Sequence, residues 1–392
     1  MALPLPFTEH LIMEGYSYAF GITAADIDGD GDLDLVSADA HKGLYWFEND
    51  GKGNFTKRII HDHRHPAILE SGRVVLGSKG PKGRDMDPFT YERFERHAIG
   101  DMNGNGHLDV VIVDNSNANV LWFENRGHPR DDHGWDIHYI TEGGLPGAYD
   151  VALADLTGNG TLDVAASSWL GNRFVWFENR DGNWIKHLIE ENIGETRTIE
   201  AVDLTGDGTS DLFGTALTGR QVVWYENSGD PVARPWKKHI IAADCCPSHG
   251  HPVDMDGDGN IDVVMALTFR RGETGAANRV VWYENSGDPR RVHWQEHVIC
   301  DDFPNASDAV AADLDGDGQV EVVATAWGAE GKVALFKHEG DPCGPWTMQV
   351  LKENWPKANQ VLVADLDGDG RLDIAAVAER GSNEFRWWRN EG

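Results

Sequence analysis

Four segments of this 392-residue chain gather carboxylates at positions 1, 3, 5 and 9 of a short Gly-containing run. They are Asp26, Asp28, Asp30 and Asp34; Asp254, Asp256, Asp258 and Asp262; Asp313, Asp315, Asp317 and Glu321; and Asp365, Asp367, Asp369 and Asp373. Glycines at positions 4 and 6 permit the left-handed backbone of a tight turn. Like charges so gathered repel by about 1 kcal/mol per pair at 4 Å in water. A hard cation with oxygen ligands relieves this, Ca²⁺ being the usual one. A hydrogen-bonded turn that needs no ion is the plainer alternative, and in either case the role is structural.

A second set is titratable, aromatic or cationic. It comprises His41, His61, His63, His65, His97, His249 and His251, with Tyr149, Arg197, Arg220, Arg270, Asp308 and Asn359, and the tryptophans Trp169, Trp327 and Trp355. Histidine titrates near neutrality and serves as base or acid. Arginine offers a fork that fits a carboxylate. Aromatic faces stack on the C–H faces of sugars while polar neighbours bond hydroxyls. This mixture suits β-elimination at a sugar: a base removes the proton α to a carboxylate or ketone, a cation steadies the enolate-like charge, and an acid protonates the departing oxygen. The roles expected are His97 or His249 as base or acid, Tyr149 as partner and Arg197 as stabiliser. His41, Trp169, Arg220, His251, Arg270, Asp308, Trp327, Trp355 and Asn359 are expected to bind substrate. His61, His63 and His65 alternate at strand spacing and could hold a second divalent metal, as could the funnel itself.

The elements that position these residues repeat. Seven loops follow D-x-[DNT]-G-[DN]-G-x-x-[DE], starting at Asp26, Asp101, Asp155, Asp203, Asp254, Asp313 and Asp365. Each is flanked by short apolar runs, then an aromatic run such as LYWFEN or VVWYEN, then a fourth such as WIKHLI. Short Val-, Ile- and aromatic-rich runs bounded by Gly, Asn and Asp are strands. Four per period of about 50 residues is the arithmetic of a propeller blade. The last period stops after its third run, and the missing fourth type stands at the N-terminus as Phe7–Ile12. The expected fold is all-β: a seven-bladed β-propeller of four-stranded antiparallel blades, closed by the N-terminal strand. It would form one domain over residues 1–392, with an insertion at about 61–96 between blades 1 and 2.

These motifs, with Phe20–Gly21 in AFGIT and the loop DIDGDGDLD, resemble the FG-GAP/VCBS repeat of propellers. Members of that family include adhesion modules, lectins and carbohydrate enzymes. The pairing of fold with His, Tyr and Arg is similar to propeller polysaccharide lyases of the ulvan and rhamnosyl-glucuronate type, and to the propeller of aldos-2-ulose dehydratase. The resemblance implies a carbohydrate partner and a carbon–oxygen lyase or dehydratase. The alternatives are a non-catalytic sugar-binding or adhesion propeller, and a glycoside hydrolase.

Repetition also separates blade from site. His10, His138, His187, His239 and His297 share one slot in the fourth run, so a structural role is expected for them. The seven non-repeated histidines fall where one face of the disc would lie, and the acidic loops fall on the other. A net charge of −31, from 65 acidic and 34 basic residues, argues against nucleic acid and anionic lipid. No apolar run approaches the roughly 18 residues of a membrane span. Cys245, Cys246, Cys300 and Cys343 are too sparse for a disulfide framework. The start, MALPLPFTEHLI, lacks a basic n-region and an adequate apolar core. The expected location is secreted or periplasmic with a signal removed, and cytoplasmic is the alternative.

Overall fold

The computed structural model describes residues 4–62, 92–131, 133–268 and 278–392. All regular structure in them is strand, in seven four-stranded antiparallel sheets. Six sheets are consecutive in sequence. The seventh joins Phe7–Glu14 to the last three strands, pairing Phe7 with Asn390 through Glu14 with Glu384. The expected propeller and its terminal closure are what the chain forms. No helix among the described residues is long and apolar enough to cross a membrane.

Blade 1 shows the plan. Its strands are Ala19–Ala25, Asp34–Asp39, Gly43–Asn49 and Phe55–Asp62. Second strands such as DVVIVD (Asp109–Asp114) are buried at every position, because they lie between two neighbouring blades. Trp46, Val36 and Ala38 of blade 1 share one core with Phe94, Val110 and Phe123 of blade 2, so each blade completes its neighbour's interior. Outer strands are only partly buried. The recurrent outer-strand histidines stack on third-strand tryptophans: His187 on Trp176, His239 on Trp224 and His297 on Trp282, all with ring centroids 4.3 Å apart. They are blade architecture.

Each first strand begins on one face and ends in an acidic loop on the other. Blades are also sewn together there by asparagines that close the third strands. The Asn227 amide donates to Leu156 O of blade 3 at 2.8 Å, and Asn125 reaches Ile27 O of blade 1 at 3.0 Å. Asn390 and Asn49 do the same, to Leu314 O and Leu366 O. Asn285 instead bonds Ile261 O within its own blade.

The insertion expected to run to about residue 96 ends earlier, because the first strand of blade 2 is Phe94–Gly100. Its N-terminal end is also shifted, since His61 belongs to the outer strand of blade 1. Its middle, with His63 and His65, lies outside the described residues, as does Arg270. All four cysteines are free.

Replacing Asn227 by Ala strands the buried Leu156 carbonyl. It should lower the unfolding free energy by about 1–3 kcal/mol, more than Asn285→Ala does. Thermal melts of the two variants check this, and equal melting temperatures would contradict the inter-blade role.

Candidate active site

First strands begin at a shared axis, and the register of each shifts within its first few residues, as between Phe94 and His97, Ala148 and Val151, and Pro247 and Gly250. Such irregularities re-aim side chains. The second residues of these strands include Phe20, Glu95, Tyr149, Arg197, Ser248, Ser307 and Asn359, and all seven line one cavity of about 700 Å³. Of the third residues, His249 also lines the cavity, whereas Arg96, Asp150, Thr198 and Asp308 do not. The rim comes from residues just after second strands, among them His41, Trp169, Trp327 and Glu379, and from Tyr18, Arg93 and Arg380.

At the wall, the Tyr149 hydroxyl lies 3.0 Å from His249 Nε2, and the two rings stack with centroids 5.6 Å apart. His249 Nδ1 lies 2.9 Å from Thr198 Oγ1. Burial and the nearby Arg96 hold His249 well below the usual imidazole range. The Arg197 guanidinium lies 4.7 Å from the Tyr149 ring centre and 6.0 Å from that of Trp169, and it is ion-paired with Glu195. Burial raises the Tyr149 phenol despite the opposing pull of Arg197 and Arg96.

Glu95 is 1% exposed and paired with Arg93 at 2.9 Å. Burial pushes its carboxyl up to about 7, against the pull of Arg93 and Arg197. Glu379 accepts the Trp327 indole N–H, and the Lys357 ammonium sits 2.9 Å above the centre of the Trp327 ring. Burial and Arg93 lower the His41 imidazole.

Known proteins bear on this geometry as follows. The FG-GAP-like repeat matches residues 7–71, 101–166, 203–265 and 254–324, more than half of the chain. The chain belongs to the FG-GAP-like repeat family. Its fold is similar to that of a chain in the crystal structure of BBS1N in complex with ARL6DN, soaked with lead. There the identity is 10%, the TM-score 0.55, and the match covers 98% of this chain and 96% of that one. A chain of the nidogen/laminin complex matches at 11% identity and TM-score 0.44, covering 78% of this chain and 88% of that one. No curated protein matches the sequence.

Within this FG-GAP-like propeller, the structure brings His41, Tyr149, Trp169, Arg197, His249, Trp327 and Asn359 together at the cavity. Of the other described candidates, His61, His97, Arg220, His251, Asp308 and Trp355, none lines it. His97 is buried beside Gly21, where a Cβ would come within 2.8 Å of its Nδ1, and burial pushes it down to about 4. It fills the seam between blades 1 and 2 instead of facing the cavity. Trp355 is 2% exposed, donates to Glu384 at 2.8 Å and packs edge-on to Trp388. It occupies an apolar slot that Tyr16, Leu145, Ile193 and Phe303 fill at the same point in other blades. Arg220 turns back to Asp244 O at 2.8 Å. His61 bonds Glu92 at 2.7 Å and packs against Phe94 and Phe123.

His251 and Asp308 form a deeper layer. His251 Nδ1 contacts Glu200 at 2.5 Å and Nε2 contacts Asp308 at 3.2 Å, with Arg96 3.8 Å from Asp308. Burial disfavours the His251 cation, but Glu200 and Asp308 outweigh it and hold the imidazole well above its usual range. Sequence reasoning missed Arg93, Glu95 and Arg96 by assigning them to the insertion, and it passed over Glu379 and Arg380. Aligning Glu95 with Tyr149, Arg197 and Asn359 as second residues of first strands would have found it.

Four loop triads bring three carboxylates within 4.8 Å: Asp26, Asp28 and Asp34; Asp254, Asp256 and Asp262; Asp313, Asp315 and Glu321; and Asp365, Asp367 and Asp373. Position 5 does not join them. Asp30, Asp258, Asp317 and Asp369 each accept the backbone N–H two residues on. Among the described residues, no trio of ligating side chains close enough to share an ion faces the cavity.

His249 and His251, two residues apart, should differ in charge between about pH 5 and 8: His249 neutral and His251 protonated. Nitrogen-15 NMR of histidine-labelled protein reads both rings. Parallel titration of the two would overturn the electrostatic picture.

Proposed function

We propose that the cavity is an active site that carries out β-elimination on a carbohydrate bearing a carboxylate or ketone beside the reacting carbon. The observation that supports this most is the Tyr149 hydroxyl at 3.0 Å from His249 Nε2, with Arg197 against the same ring. With Nε2 unprotonated, the Tyr149 hydroxyl donates to it, and Nδ1–H donates to Thr198 Oγ1. Tyr149 Oη then accepts the proton α to the carbonyl while its own proton moves to His249. No free phenolate forms. The electron pair of the broken C–H bond becomes the C=C bond, the β C–O bond breaks, and the leaving oxygen takes a proton back from Tyr149, which recovers its own from His249. No water is consumed. Arg197, Arg93 and Arg380 are the cations on this cavity for a substrate carboxylate or enolate, and Trp169 is the aromatic ring on it for a sugar to stack against.

Glycoside hydrolysis is the second reading. It is favoured by Glu95, held near 7 by burial, on the same cavity as Glu379. A carboxylic acid tuned upward is the usual proton donor of a glycosidase.

For the acidic loops we propose structural Ca²⁺. All-oxygen donors suit it, and positions 1, 3 and 9 of the four triads would hold it. Three of these loops also meet an arginine or lysine: Arg130 reaches Asp28 and Asp30, Lys337 reaches Asp315 and Asp317, and Arg389 pairs with Asp367 at 2.6 Å. No such partner enters the Asp254 loop among the described residues, so it should bind first.

Uronate polysaccharides and keto-sugars should yield a conjugated product detected by its ultraviolet absorbance. Tyr149→Phe and His249→Ala should each lower kcat by at least about 100-fold without changing the fold. New reducing ends without unsaturation, abolished by Glu95→Gln, would replace elimination by hydrolysis. Binding without any product would leave a sugar-binding propeller.

Ca²⁺ should raise the melting temperature of chelator-treated protein, and Asp254→Asn should diminish that rise more than Asp313→Asn. A melting temperature indifferent to Ca²⁺ would reduce the loops to hydrogen-bonded turns.

A further inference from the structure

We propose that Glu284, His297 and Cys343 form a binding site for a borderline divalent cation of the Zn²⁺ class at the seam between blades 5 and 6. One ligand atom from each lies within 4.8 Å of the others. His297 Nε2 is 2.7 Å from Glu284 Oε2 and 3.9 Å from Cys343 Sγ. This site is separate from the cavity and from the all-oxygen loops.

Comparison among blades shows what is special here. The pairing of an outer-strand His with a third-strand Glu recurs as His138–Glu124, His187–Glu178 and His239–Glu226, at 2.7, 2.9 and 2.8 Å. That pair alone is scaffold. What varies is the residue handed in from the next blade, on a turn that reads x-Pro-x: Pro129–Arg130, Pro231–Val232, Pro289–Arg290 and Pro342–Cys343. At two of these turns the proline carbonyl is pinned by a tryptophan of the preceding blade. Trp224 donates to Pro289 O at 3.1 Å, and Trp282 to Pro342 O at 3.2 Å. The next residue is thereby placed over the preceding blade's glutamate. Arg130 reaches Glu48 at 2.6 Å and Arg290 reaches Glu226 at 2.8 Å. Where the incoming residue is Val232, Glu178 takes Arg180 of its own blade, at 2.6 Å.

At blade 5 the incoming residue is Cys343. Among the described residues, no lysine or arginine pairs with Glu284, nor with the adjacent Asp254, Asp256 and Asp258. Of these four seams, two hold an incoming guanidinium at this point, one an incoming valine, and the fourth a thiol beside an imidazole and a carboxylate. Sulfur, nitrogen and oxygen donors together suit Zn²⁺ and similar ions and not Ca²⁺. Tetrahedral zinc sets such donors about 3.3–3.6 Å apart, so a small opening of the His297–Glu284 contact and a small approach of Cys343 complete three corners. Cys343 is exposed, which leaves the fourth corner to water. Binding takes the thiol proton into solvent, so affinity should rise with pH.

The test uses the full chain, freed of metal by a chelator and titrated with Co²⁺. The expected result is a thiolate-to-cobalt charge-transfer band that saturates at one equivalent, is displaced by Zn²⁺ and persists in excess Ca²⁺. Cys343→Ser should abolish the band and one equivalent of bound metal. Cys343→Arg, which installs the guanidinium found at two of the other seams, should do the same and keep the wild-type circular dichroism. Absence of the band in the wild type, or its survival in Cys343→Ser, would overturn the site. The serine variant decides the matter if the arginine variant does not fold.

Discussion

The pairing of Phe7–Glu14 with Glu384–Asn390 is the contact on which the rest of the molecule depends. Without it the last blade would end on an open strand edge, and exposed edges recruit other chains. The junction is reinforced beyond the backbone ladder. Lys352 and Arg386 both reach Glu9, at 2.6 and 2.7 Å, and Leu5 exchanges two hydrogen bonds with Gln349 of blade 6. Closure also assembles the cavity. Arg380, from blade 7, lies 4.7 Å from the centre of the Tyr18 ring, which leads into blade 1. The two ends of the chain therefore build one rim.

A chain of net charge −31 collects four arginines, Arg93, Arg96, Arg197 and Arg380, in and beneath this cavity. Each already faces carboxylates: Glu95, Asp308, Glu195 and Glu379 respectively. Arg96 is deeply buried, and an unpaired charge there would be very costly. The result is a site with strong fixed dipoles and little net charge, inside a protein that repels anions at long range.

The fold was legible because repetition was. The seven loops, the strand runs and the displaced fourth strand Phe7–Ile12 sufficed to define the ring. The site was legible only where the repeat is visibly broken. Tyr149, Arg197 and His249 stand out because other blades carry unlike residues there. Glu95 and Arg96 did not, since the adjoining insertion hid the start of their strand. His97 and Trp355 misled for a different reason. Facing depends on a one-residue step in register, and the shift between Phe94 and His97 is a backbone event with no sequence mark. Trp355 is larger than its counterparts Leu145 and Phe303, so it looked exceptional while filling an ordinary apolar slot.

The contrast between His249 and His251 links the scaffold to the proposed chemistry. Glu200 and Asp308 fix a positive charge on His251. That charge, with Arg96 and Arg197, opposes a second cation at His249. An imidazolium formed at His249 would therefore be a strong acid and a short-lived one. Such a group cannot store a proton through a slow second step involving water. It can return the proton at once through Tyr149 to the oxygen that has just left. A transfer that starts and ends on the substrate is the proton economy of elimination, so on this reading the buried layer beneath the cavity, as much as the residues facing it, selects the reaction.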